Sequence, residues 1–153
     1  MNDRYIFRGK RFVDPDYTLD VGAWTYGYYT KKVRCTKDGG IIKIDAIENI
    51  SKIDGAAYAI HHEIDATTLS QCTGLKDKNG SLIFEADIVK CLSPAGYSST
   101  GIVKYITEHA RWEYWHAKQK EGFPIIRYNN NLEIIGNVYD NPELLKEVEQ
   151  CHT

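Results

Sequence analysis

A mainly β protein with one short C-terminal helix is what this 153-residue sequence predicts, on three observations. Aromatic and β-branched residues, which suit a pleated, half-buried surface, are plentiful, with 11 Tyr and 3 Trp. The apolar runs are short, and Gly, Asn or Asp interrupts them about every ten residues, the rhythm of strands joined by turns. Only YDNPELLKEVEQ, at 139–150, reads as a helix.

Taken in chain order, WTYGYYT (24–30) is extended and places Trp24, Tyr26 and Tyr28 on one face, because strand side chains alternate with period two. IIKID, AAYAIHHEI, DIVKCL, GIVKYIT, RWEYWHA, PIIRY and LEIIGNVY are the further predicted strands. In TGLKDKNGSLIFEADIV (73–89), Asn79 and Gly80 suit the two positive φ angles of a type I′ turn. Leu75 to Lys78 would then pair with Ser81 to Phe84, leaving Lys76, Asp77, Lys78 and Asn79 at an exposed tip. Leu82, Phe84, Ala86 and Ile88 are expected on one face, and Asp87 as the cap of a tight corner. At the helix, Asn141 is a good N-cap, Pro142 suits the first turn and Glu143 complements the dipole. Leu144, Leu145 and Val148 would dock it on a sheet.

Length and composition bound the rest. One domain over 1–153 is expected, with its softest internal seam near 66–72, and a chain of this size can bury a self-sufficient core. No run approaches the ~20 apolar residues that span a bilayer, and MNDRYIFRGKRF carries charges where a secretory signal is apolar. A cytosolic protein without membrane association is therefore expected. Cys35, Cys72, Cys91 and Cys151 stand singly, as free thiols would in a reducing compartment.

The formal charge of −2 conceals an asymmetry. Residues 1–43 carry nine Lys/Arg against five Asp/Glu, and residues 44–90 carry four against eight. A bipolar surface is the simplest expectation, suited to self-association or an oriented partner.

The motifs of nucleotide-phosphate loops, serine-hydrolase elbows and zinc-protease helices are all missing from the sequence. In IHHEID, His61, Glu63 and Asp65 would share one strand face and His62 the other, so His61 and Glu63, joined by Asp87, are the weak candidates for a metal or acid–base site. An edge-strand surface is the plainer reading. In ARWEYWHAKQK, Trp112, Tyr114 and His116 would oppose Arg111, Glu113 and Trp115, so that at least one Trp is buried. Trp112 and Trp115 are also the aromatic candidates for stacking on single-stranded nucleic acid, with Arg4, Arg8, Lys10, Arg11, Lys31, Lys32 and Arg34 as the cations.

Three segments in order resemble the YopX-like family of bacteriophage and prophage proteins: RYIFRGKRF followed after a short insertion by WTYGYYTK, then TLSQCTGLKDKNGSLIFEADIV, then LEIIGNVYDNPELL. Two positions depart from the family pattern, Cys72 where an aromatic is usual and Ala86 where Gly is usual. The resemblance implies a small SH3-like β-barrel or roll with extra strands, phage or prophage origin, and no catalytic residues or cofactor to carry over. Together these readings favour a non-enzymatic accessory protein in the cytoplasm of the bacterial host that binds a protein partner or itself. A nucleic-acid-binding protein is the alternative, and a metal-dependent enzyme is a third.

Overall fold

A computed structural model describes residues 5–12, 22–53, 56–92, 96, 98–116 and 121–145, without the side chains of 52 and 53. The chain divides into two compact units, Met1–Gln71 and Cys72–Thr153. Each is built from antiparallel strands, and the protein is mainly β.

The first unit is a sheet of β1 (Phe7–Lys10), β2 (Trp24–Cys35), β3 (Ile41–Ile53) and β4 (Ala56–Glu63), in the order β4-β3-β2-β1. Ser70 and Gln71, which open β5 (Ser70–Lys76), pair with Arg8 and Phe7 at the β1 side. The two longest strands form one hairpin, with Tyr28 opposite Glu48 and Cys35 opposite Ile41. Its turn closes where Thr36 N donates to Gly40 O (2.8 Å) and Gly39 N to Thr36 O (3.0 Å). Ala46, Ile47 and Ile64 are buried in this unit, beside the polar Thr25, Thr68 and Ser70. Asp65 caps the 3-10 turn at 66–68 rather than extending β4, its Oδ1 accepting from Thr67 N at 2.9 Å.

The second unit holds the hairpin of β5 with β6 (Leu82–Phe84) and a sheet ordered β10-β9-β8-β7-β11. Those strands are β7 (Asp87–Leu92), β8 (Ser98–Ile106), β9 (Arg111–His116), β10 (Gly122–Pro124) and β11 (Leu132–Asn137). Its core gathers Ile83, Val89, Cys91, Val103, Tyr114, Ile125 and Leu132. The Tyr114 and Phe123 rings stack at 5.4 Å, and Tyr128 meets both edge-on. Burial pushes the Tyr114 phenol up to about 12, so it stays protonated in this core.

Several expectations change. The β5–β6 turn is not type I′: among the described non-glycine residues only Ala86 and Ala110 have positive φ, so Asn79 does not, whereas Gly80 sits at +85°. Gly80 N donates to Asp77 O (3.0 Å) and Asp77 N to Ser81 O (2.9 Å), a turn completed by one left-handed glycine. The Thr36–Gly40 turn repeats this pattern, with Gly39 at +85°. Pairing begins at Lys76 with Leu82, and the register slips before Cys72 meets Phe84. PIIRY is only strand at its start, because the chain coils into a 3-10 turn at Ile125–Arg127. The even-numbered face from Leu82 to Ile88 is interrupted by a turn at 85–86, and Ile83 and Val89 are buried as well. Helical backbone is described at 143–145, while Val148 lies outside the described residues. Asn141 uses its side-chain oxygen on Asn137 N (3.4 Å), and its backbone carbonyl accepts from Leu144 N (3.1 Å).

Ala86 adopts φ 64°, in the left-handed region that a Cβ disfavours. Backbone bonds hold it there: Ala86 N donates to Val103 O (2.9 Å) and Val138 N to Ala86 O (3.0 Å). Ala86→Gly relieves this strain at the expense of one buried methyl and a freer unfolded chain. The expected net gain is about 0.5–1 kcal/mol, read as a melting midpoint about 2 °C higher.

Candidate functional site

The charges of the first unit meet across its strands. In this register, even-numbered residues of β2 and β3 share a face with odd-numbered residues of β4. On that face Glu48 Oε2 lies 3.6 Å from Lys32 Nζ and 3.2 Å from His61 Nδ1, and Arg34 Nη1 lies 3.5 Å from Glu63 Oε2. On the other face Lys31 Nζ stands 4.0 Å from Asp45 Oδ1. That carboxylate also accepts a hydrogen bond from the Tyr29 hydroxyl, which raises the Tyr29 phenol above its ordinary value, helped by burial and the Asp45 charge.

This arrangement narrows the expectation of a bipolar surface. Along β2, β3 and β4, basic side chains from the first third and acidic ones from the middle interleave and neutralise one another locally. Each exposed pair adds well under about 1 kcal/mol to stability, but together they weaken the positive field that Lys31, Lys32 and Arg34 would project.

Arg8, Lys10 and Arg11 are also engaged. Arg8, only 7% exposed, places its guanidinium 4.7 Å from the Trp24 ring centre, and Lys10 Nζ approaches the same ring at 5.6 Å. Arg11 Nη2 is 3.4 Å from His62 Nε2. Arg4 lies outside the described residues. Tyr26 and Tyr28 are exposed on the same face of β2 as Trp24.

His61 and Glu63 belong to the first unit and Asp87 to the second. His61 and Glu63 are drawn to Glu48 and Arg34, and Asp87, in the second unit, spends Oδ2 on Phe84 N at 2.8 Å. Asp87 is therefore the cap of the corner at 84–87. Among the described residues no group of three or more His, Cys, Asp or Glu is placed to hold a metal ion.

Trp112 and Trp115 are both half-buried, so the expectation of one fully buried Trp gives way to Tyr114 and Glu113 as the buried members of β9. Trp112 meets Tyr105 edge-on at 5.2 Å, and Lys104 Nζ stands 6.0 Å from the Trp115 ring centre.

Two buried carboxylates in the second unit escaped the sequence reading. Asp77, 6% exposed, accepts from Asn79 N and Ser81 N through Oδ1 (both 2.9 Å) and from Ile134 N through Oδ2 (3.1 Å). It is an anchor, not part of an exposed tip. Glu113, 1% exposed, receives His109 Nδ1 at 2.8 Å and Arg111 Nε at 2.7 Å on Oε1. Burial pushes the Glu113 carboxyl up, but the hydrogen bonds and charges of His109 and Arg111 outweigh it and hold the group below its ordinary 4.5. A folded-state value below the unfolded one means that this stabilisation is complete above about 4.5 and is lost as pH falls through the lower folded value. Glu113→Gln is expected to flatten that part of the acid limb of a stability-against-pH curve, measured by urea unfolding between pH 3 and 7.

The described polar groups thus define an antiparallel β protein whose buried charges serve turns and strand ends. A family model described as YopX protein matches residues 25–146, most of the length of the chain. The chain belongs to the YopX family. It is also similar to the crystal structure of protein EF1440 from Enterococcus faecalis, at 23% identity and a TM-score of 0.46, over 92% of this chain and 96% of that one. No curated protein sequence matches it. No helix among the described residues is long and apolar enough to cross a membrane.

Proposed function

We propose that this chain is a non-enzymatic accessory protein of phage or prophage origin, a small SH3-like β-roll that binds a protein partner or a second copy of itself. It works in the cytoplasm of the bacterial host, needs no cofactor and does not engage the membrane. The observation that carries this reading is the cross-strand pairing of Lys31, Lys32 and Arg34 with Asp45, Glu48 and Glu63, beside exposed apolar side chains on the same strands. Ile41, Ile50 and Tyr58 stand out on these strands. The buried acids Asp77 and Asp87 support it too, because their oxygens accept from backbone N–H groups of nearby turns.

Nucleic-acid binding is the second reading, favoured by Trp24 between Arg8 and Lys10 beside exposed Tyr26 and Tyr28. Salt separates the two. A phosphate-tracking surface with four to six engaged cations gives a log-log salt slope of about −3 to −5. Fluorescence anisotropy with labelled single- and double-stranded oligonucleotides at two salt concentrations is expected to show no such slope. Micromolar binding steeper than about −3 would establish the second reading instead.

A further inference from the structure

We propose that β4 is a self-pairing edge, and that two copies of this chain join antiparallel through it to continue their sheets across a two-fold axis. The inference rests on the reading of this protein as a binding module and names the occupant of one surface.

Sheet edges expose unpaired backbone groups and are normally protected by brevity, Pro, Lys or a bulge. The described outer strands of the second unit carry such devices. β10 has three residues and ends in Pro124, β6 has three, and β11 shifts register between Ile134 and Gly136. β4 has none of these protections. It runs eight residues, keeps unbroken register with β3 from Ala46–Glu63 to Ile53–Ala56, and is uncharged over Ala56-Ala57-Tyr58-Ala59-Ile60.

The direction of its backbone groups follows from two hydrogen bonds. Ile64 N donates inward to Asp45 O (2.9 Å), whereas Glu63 O accepts from Phe12 N (2.9 Å) on the outer side. Alternation along an antiparallel strand then turns the N–H and C=O of His61, Ala59 and Ala57 outward, where no described backbone pairs with them. These groups can pair with an extended chain.

A second copy fits because the edge is symmetric about Ala59. With Ala59 opposite its equivalent, Ala57 of each copy faces His61 of the other, and both backbone groups of all three residues are paired at once. The same register sets Tyr58 against Ile60 of the partner, a favourable aromatic–β-branched pair, and opposes no like charges. Small side chains at 57 and 59 leave room on the other face, where the 66%-exposed Ile50 flanks Ala59. The contact is isologous and closes as a dimer rather than a fibre.

Sedimentation velocity over a concentration series tests this. The wild-type chain is expected to approach twice the monomer mass at high concentration. Ala59→Pro removes an N–H that β3 does not use, so it is expected to give a monomer that melts close to wild type. Should that variant unfold, Ala57→Lys is read instead, with hydrogen exchange of the 56–63 peptide, which must slow as wild-type concentration rises and not in the variant. A wild-type chain that stays monomeric throughout overturns the inference, as does a dimer that survives both substitutions. A persistent monomer that still binds a protein partner would end self-pairing alone and leave the binding-module reading standing.

Discussion

Asp77→Ala is expected to lower the stability of the second unit by about 3 kcal/mol, because three backbone N–H groups lose a charged acceptor together. The donors differ in consequence. Asn79 N and Ser81 N lie in an exposed turn and can turn to water, but Ile134 N sits beside the core strand that begins at the buried Leu132. The side chain therefore ties the β5–β6 turn to β11, more than fifty residues away in the chain. Asp77→Asn keeps the shape and one carbonyl acceptor but presents an amide to a third N–H, so its cost should be about half as large. Urea unfolding of both variants, with hydrogen exchange at the turn and at β11, is the measurement. Equal and small losses for the two would mean that the carboxylate does not hold this junction.

Gly27→Ala is the second large effect, and it belongs to the first unit. A Cβ at residue 27 would stand 2.1 Å from the backbone oxygen of Glu48 and 3.1 Å from Ile47 Cγ2. Backbone cannot swing aside as a side-chain tip does. The strands must separate locally, disturbing the ladder that begins at Tyr28–Glu48 and the burial of Ile47. Overpacking of this kind costs about 3 kcal/mol. The expected result is a melting midpoint several degrees lower and faster amide exchange across β2 and β3. Exchange confined to the second unit would show that the strands accommodate the methyl.

What was legible in the sequence, and what was not, follows from the range of the interactions. The mainly β character and most strands were visible because alternation is local. RWEYWHA and LEIIGNVY became β9 and β11 with small changes at their ends. The turn at Gly80 was located by Asn-Gly, yet its geometry was misjudged. Asp77, two residues before Asn79, supplies an acceptor that stabilises a turn with one left-handed residue instead of two. Asp38-Gly39 carries the same local signal for the Thr36–Gly40 turn.

The charge asymmetry is legible as a count, but composition by segment says nothing of which strands become neighbours. Once β2 pairs with β3 and β3 with β4, Lys32 and Arg34 must face Glu48 and Glu63. The burial of Glu113 was likewise hidden. Its partners, His109 and Arg111, flank a corner whose Ala110 adopts φ 49°, and nothing in ARWEYWHA announces that backbone.

The placement of the cysteines gives the molecule its own chemical clock. Of the three described cysteines, Cys35, on a strand of the first unit, is exposed, whereas Cys72 and Cys91 are buried in the second. A thiol reagent can alkylate Cys35 in the native protein, but it must wait for the second unit to open before it meets the other two. Alkylation of Cys91, packed with Val89 and Val103, thus times the opening of that unit separately from events in the first, with no label introduced.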